Sequence, residues 1–192
     1  MKPFHASVLA LTLPVSLLAQ QPSSTPPANP ITTSFRGRIQ ALHRNLAQAF
    51  DSIPEAKFSY KPTPAQQTIG YIAQHLASDN TFFCNQFGDM KAPLAAEDTT
   101  TADSVKAGWP KEKLVTKLKA SITFCQSALA QLDDAKLADQ VTITFRGQSR
   151  QVIRSGMVLG HALDMADHYS QIANYMRLNG MLPPTALPRP SQ

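Results

Sequence analysis

Four stretches of the chain place apolar residues at the three-and-four spacing of an amphipathic helix. In the first, from about residue 34 to 53, the stripe is Phe35, Ile39, Leu42, Leu46, Phe50 and Ile53, and Pro54 ends it. The second follows the turn-like SYKPTP and carries Ile69, Ile72, Leu76, Phe83 and Phe87, with Gly88 as its close. Its start has two readings. Thr63, Pro64 and Gln66 make a capping box with proline in the first turn, and Thr68 could equally cap a restart. The third begins near Pro110 and holds a seam of Leu114, Leu118, Ile122, Cys125, Leu129 and Leu132. The fourth runs from about residue 150 to 179, with Ser149 as a candidate cap. Gly180 is its expected left-handed stop, and Pro183 and Pro184 prevent resumption.

Between these stretches the pattern changes. Residues 89–108 are polar and rich in Thr, Ala and Asp, so they read as a surface connection with a short helical turn at 102–107. VTITFRGQ, residues 141–148, alternates as a strand does. With no second strand in view, it is expected to be an ordered loop or a small hairpin. The fold class is therefore all-α: a four-helix bundle with a short extended segment before the last helix. Gly156 and Gly160, four apart on the last helix, would let a neighbour approach closely.

Composition fits one domain. The chain has 192 residues, 43% of them hydrophobic and 16% charged, which is enough for a real core and excludes a disordered chain. Its net charge of +5 is modest. Lys111, Lys113, Lys117 and Lys119 cluster without interleaved aromatics, so they read as a solvated helix face and no nucleic-acid partner is expected. The N-terminus, MKPFHASVLALTLPVSLLAQ, changes the picture more. Lys2 is followed by an apolar run from residue 6 to 19, interrupted by Pro14 and ending in a small residue. That is a secretory signal peptide over residues 1–19, with cleavage expected after Ala19. The alternative is a membrane anchor, but the run falls short of about 18–20 residues. A Pro/Ser/Thr-rich leader follows over 20–33, then the domain over 34–184 and a tail over 185–192. A secreted or periplasmic protein, free of the membrane after cleavage, is the expectation. In an oxidising compartment the two cysteines, Cys84 and Cys125, suit a disulfide, with two buried free thiols as the alternative.

The candidate chemistry lies in GHALDMADHYSQIANYMRLNGMLPP, residues 160–184. Asp164 and His168 are four apart, so they neighbour each other on one helix face. Two ligands at that spacing, with a third from a facing helix, can hold one metal ion. His75 is the natural third donor. His161 lies seven residues from His168, about 10 Å along the axis, too far to share its ion easily. It would pair instead with Asp164 or Met165, or serve packing. Imidazole and carboxylate donors suit Zn²⁺, Ni²⁺, Mn²⁺ or Fe²⁺. The same spacing also serves a plain structural pair, with Asp164 bound to an arginine or lysine and His168 hydrogen-bonded in the bundle. His43 sits near the edge of the first stripe and reads as surface or partly buried. No nucleophile elbow, phosphate loop or Cys-x-x-Cys motif is present.

The closing DHYSQIANYMRLNGMLPP resembles the last helix of the DinB-like family through His168, Gln171, Tyr175, Arg177, Gly180, Pro183 and Pro184. FSYKPTPAQQTIGYIAQHLASDNTFFC resembles its second region through Pro62, Thr63, Pro64, Ile69 and His75. Cys84 after paired aromatics, and Cys125 in TFCQSAL, resemble a secreted subgroup that carries both cysteines. The resemblance implies a four-helix bundle with a divalent-metal site of three histidines. Two map to His75 and His168, and the third position is Asp164, a departure. The implied set is then two histidines and one carboxylate, or a weakened site. Some relatives use a metal and a low-molecular-weight thiol in transfer or isomerisation, chemistry that suits a reducing cytoplasm better than an exported protein. Two functions stay open: a bundle with a weak divalent-metal site and a small-molecule ligand, or a metal-dependent enzyme of hydrolase or thiol-transferase type using His75, Asp164 and His168. Tyr71 and Asp79, one turn either side of His75, would support such a site. A homodimer is compatible with either.

Overall fold

The computed structural model describes residues 28–145 and 147–188. The long helices are α1 (Pro30–Ser52), α2 (Ile69–Cys84), α5 (Lys111–Ala130) and α6 (Arg154–Leu178), with two short helices, α3 (Ala96–Thr100) and α4 (Asp103–Lys106), in the connection between α2 and α5. Side-chain pairings give their directions. Asn80 meets Ser121 and Cys84 meets Cys125, so α2 and α5 run parallel. His75 meets His168 and Asn80 meets His161, so α2 and α6 are antiparallel. Arg36 of α1 donates to the carbonyls of Leu129 and Leu132 near the end of α5. Lys111, at the start of α5, donates to the carbonyls of Asp51 and Ile53 near the end of α1, so this pair is antiparallel. A parallel α2–α5 pair needs a long crossover, which residues 85–110 supply.

The apolar stripes meet in two stacked clusters. Leu46, Phe50, Ile72, Leu76, Leu118, Met165 and Tyr175 form one. Ile39, Phe87, Leu129, Val158 and both cysteines form the other. Gly70 is required by the close passage of the connection over α2. A Cβ there would lie 2.3 Å from the carbonyl oxygen of Ala107. Gly160 performs the same service towards Phe83, at 3.0 Å, whereas Gly156 faces open space.

Several boundaries move from the sequence reading. Helix α1 begins at Pro30, inside the segment read as leader, because Asp134 caps it from the far end of α5. The Asp134 carboxylate accepts from the amides of Ile31 and Thr32 and from the Thr32 hydroxyl. Its partial burial favours the neutral acid, but the Thr32 and Ile31 amides outweigh that and hold its pKa below the usual value. Thr68, not Thr63, caps α2, accepting from the amide of Tyr71. That helix closes at Cys84, before Gly88. The extended segment is a hairpin. Strand β1 (Gln140–Phe145) pairs antiparallel with β2 (Gln148–Ile153), turning at Gly147 with φ +76°. Ser149 is therefore a strand residue bonded to Thr144, and α6 starts at Arg154 rather than near residue 150. Gly180, with φ +71°, ends α6 as expected. The segment read as a signal peptide lies outside the described residues.

Candidate metal site and buried histidine cluster

One turn of α2 and one turn of α6 bring the candidate ligands together. The rings of His75 and His168 meet edge to face with centroids 4.8 Å apart. One donor atom from each of His75, Asp164 and His168 lies within 4.8 Å of the others. Asp164 Oδ1 is 3.5 Å from His168 Nε2, and Asp79 Oδ2 is 3.2 Å from His75 Nε2. Both pairs are four apart on their helices, so helical geometry alone sets each contact. Asp164 Oδ2 is buried with no hydrogen-bond donor, and Tyr71 stacks beside His75. The site opens to solvent through His75 and Asp79, whose side chains are 28% and 24% exposed.

The motif after His168 orients it. Gln171 donates through Nε2 to the Tyr175 hydroxyl, which itself donates to the carbonyl of Gln67. Gln171 therefore presents Oε1 to His168 Nδ1, at 3.1 Å, and that nitrogen must carry the proton. The other nitrogen, Nε2, faces Asp164 Oδ1 and is the one a metal would use in the neutral ring. A histidine held through its distal N–H to face a centre with the other nitrogen is the common arrangement of a metal ligand. Asp79 faces Asp164 directly. Burial, the Asp164 charge and a close contact with the Asp164 side chain, short of a hydrogen bond of good geometry, push the Asp79 pKa up to about 7, against the pull of His168.

His161 stands apart from this group, as the seven-residue spacing requires. It is fully buried, and its Nε2 lies 2.8 Å from Asn80 Oδ1. The Cys84–Cys125 disulfide passes beside it, with each Sγ 3.8 Å from the same nitrogen. His43 corrects the surface reading given above: it is fully buried, with its ring edge-on to His161 at 5.2 Å between centroids. Burial lowers the His43 pKa to about 4, offset in part by the nearby Asn80 side chain. Neither ring nitrogen makes a hydrogen bond of good geometry, so the Asn80 contact is a loose one. Burial, with the neighbouring His43, lowers His161 to about 3. The sequence carried a signal for His43, because Ile39, His43, Leu46 and Phe50 keep helical spacing on one face.

A separate cavity of about 580 Å³ lies on the other side of α2, between α2, α5 and the crossover. Trp109, Leu114, Phe124 and Leu94 line it, along with Gln74, whose buried side-chain amide has no hydrogen-bond partner. It does not include His75, Asp164 or His168.

The family model for the DinB superfamily matches residues 38–172. Among solved structures, a DinB-like protein from Bacillus cereus ATCC 10987 superposes with a TM-score of 0.60 at 16% identity, covering 79% of this chain and 95% of that one. A conserved protein from Enterococcus faecalis gives 0.56 at 17% identity, covering 77% and 96%. A mycothiol-dependent maleylpyruvate isomerase gives 0.58 at 13% identity, covering 73% of this chain and 60% of the isomerase. No curated protein matches the sequence. These superpositions show a common fold, and the match over residues 38–172 places this chain in the DinB superfamily.

Proposed function

We propose that the protein binds a divalent metal ion through His75, Asp164 and His168, with Asp79 as an adjoining carboxylate. One observation carries the reading: three donor atoms from two facing helices lie within 4.8 Å of one another beside a buried carboxylate oxygen with no donor. The residues fit such an ion. His168 is held by Gln171 with Nε2 turned towards Asp164, which supplies the charge. Bound there, an ion would provide Lewis-acid polarisation of an oxygen ligand on the solvent side. The protein's own contribution is to fix the imidazole tautomer and to keep two carboxyls beside the opening. A carboxylate in place of the family's third imidazole moves preference from softer towards harder ions, so binding of Zn²⁺ or Ni²⁺ is expected to be weak. Calorimetric titration of tag-free protein with Mn²⁺, Zn²⁺ and Ni²⁺ tests this. Metal-independent heats, unchanged in His168→Ala, would refute it.

A second reading rests on the cavity against α2. Its largely apolar wall and the unpartnered Gln74 amide favour a small amphipathic molecule carrying one amide or carboxyl group. Thermal-shift screening with such compounds, compared with Gln74→Leu, separates this role from metal binding.

A further inference from the structure

The disulfide accounts for Cys84 and Cys125 but not for the two imidazoles packed against it. His43 has zero exposure and only a loose Asn80 contact, with no hydrogen bond of good geometry on either ring nitrogen, and His161 Nδ1 is also without a partner. Burying such groups unpaired costs free energy unless something else occupies them. Each of the long helices contributes one member of the group: His43 from α1, Cys84 from α2, Cys125 from α5 and His161 from α6.

We propose that, when the Cys84–Cys125 disulfide is reduced, these four residues form a tetrahedral zinc site with two sulfur and two nitrogen ligands. The spacing supports it. Zn–S bonds of about 2.3 Å and Zn–N bonds of about 2.0–2.1 Å give tetrahedral edges of roughly 3.3–3.8 Å. His161 Nε2 already lies 3.8 Å from both sulfurs. The donor atoms of His43, Cys125 and His161 fall within 4.8 Å of one another. Cys84 lies outside that group, and its sulfur joins it only once the sulfur–sulfur bond is cut and the two sulfurs, now bonded, separate to a tetrahedral edge. Ligation through His161 Nε2 gives up the hydrogen bond to Asn80, whose side chain also reaches His43.

Charge supports it too. One Zn²⁺ with two thiolates and two neutral imidazoles has no net charge, as a fully buried site requires. The low pKa values of both histidines keep them unprotonated and ready to ligate at neutral pH.

The chemistry balances with a low-molecular-weight thiol as reductant. Two thiols give up two electrons and become one small disulfide. The Cys84–Cys125 bond breaks, and each sulfur takes up a proton. Zinc binding then releases both protons to solvent. Disulfide and zinc are mutually exclusive crosslinks: the first joins α2 to α5, and the second joins all four long helices.

Cobalt(II) is the probe, in full-length His168→Ala protein so that the more open site is silenced. Reduction with a phosphine under anaerobic conditions, followed by cobalt, should give one equivalent per chain with sulfur-to-cobalt charge-transfer absorption. Zinc should displace it, and the oxidised protein should show none. His43→Ala and His161→Ala should each weaken binding at least tenfold. X-ray absorption of the reduced zinc-loaded protein with otherwise native sequence should report two sulfur and two nitrogen neighbours, a reading that needs no cluster variant to fold. Reduced, folded protein without thiolate absorption overturns the proposal. So does a sulfur-only shell, undiminished binding in the double histidine variant, or a reduced chain that zinc fails to keep folded.

Discussion

Removing the covalent link between α2 and α5 should cost this protein about 5 kcal/mol of stability. The Cys84→Ala/Cys125→Ala double variant removes a bridge that spans 41 residues. In the chain-entropy model a loop of that size restricts the unfolded chain by about 13 cal/mol/K, or about 4 kcal/mol at 25 °C. Both cysteines are fully buried, so the lost sulfurs leave a small void and add about 1 kcal/mol. For a domain of this size each kcal/mol shifts Tm by roughly 2–4 °C, so a fall of roughly 10–20 °C is expected. Urea denaturation with a chelator present, so that no metal substitutes for the bridge, measures it directly. The urea m-value should rise, because an uncrosslinked chain exposes more surface when unfolded. A loss under about 1 kcal/mol with an unchanged m-value would show that the bridge does not constrain the unfolded state, and the reasoning would fail.

The remaining predictions concern the two polar clusters and one close approach. Asp164→His should raise Zn²⁺ or Ni²⁺ affinity about tenfold or more by calorimetry, since it places a second imidazole four residues before His168; an equal or lower affinity refutes the weakened-site argument. His43 and His161, with folded pKa values near 4 and 3, should stay neutral at pH 5 by NMR, and a ring titrating near 6.5 in the folded protein contradicts their burial. Their stabilisation is complete above about pH 6.5 and is lost as pH falls towards the folded values, at up to about 1.4 kcal/mol per pH unit for each. Asp79, raised to about 7, acts in the opposite sense as pH falls, so urea melts of Asp79→Asn should show the steeper acid loss. Gly70→Ala should destabilise by about 1–3 kcal/mol in urea melts, because its Cβ would strike the Ala107 carbonyl rather than a movable side chain, and a neutral result would show that the crossover yields.

The bundle was legible because its stripes are long and regular, and burial on one face is what a stripe encodes. Boundaries set by distant partners were not. The start of α1 depends on Asp134, some hundred residues away, and the start of α6 depends on β2 pairing with β1. Ser149 is a good cap residue locally, but the ladder claims it first. At the candidate site, spacing along each helix brought out Asp164 with His168, and Asp79 with His75. His75 was named as the donor from a facing helix because a third ligand was wanted there, and family resemblance pointed to the same pairing of helices. His43 was read as surface or partly buried because an imidazole on an apolar stripe looks like an edge position until the facing helix is known to carry His161. The cavity left no sequence trace, since its walls come from helix faces and a crossover whose path no local pattern specifies.

The parallel run of α1 and α6 has a mechanical consequence. Both helices lead from the end near Asp134 towards the end near Pro54, so the described chain enters at one pole of the bundle and leaves α6 at the other. Tension applied to its two ends would slide α1 lengthwise along α6 and load their contacts together, rather than peeling them apart one turn at a time. The bridge between Cys84 and Cys125 would then shield the segment it encloses from the pull. About 40 residues, or roughly 140 Å of extended chain, would stay unextended until the sulfur–sulfur bond is cut. In single-molecule pulling, the oxidised protein should yield at higher force and over a shorter extension than the reduced one, and the difference in extension should equal the length of that enclosed loop.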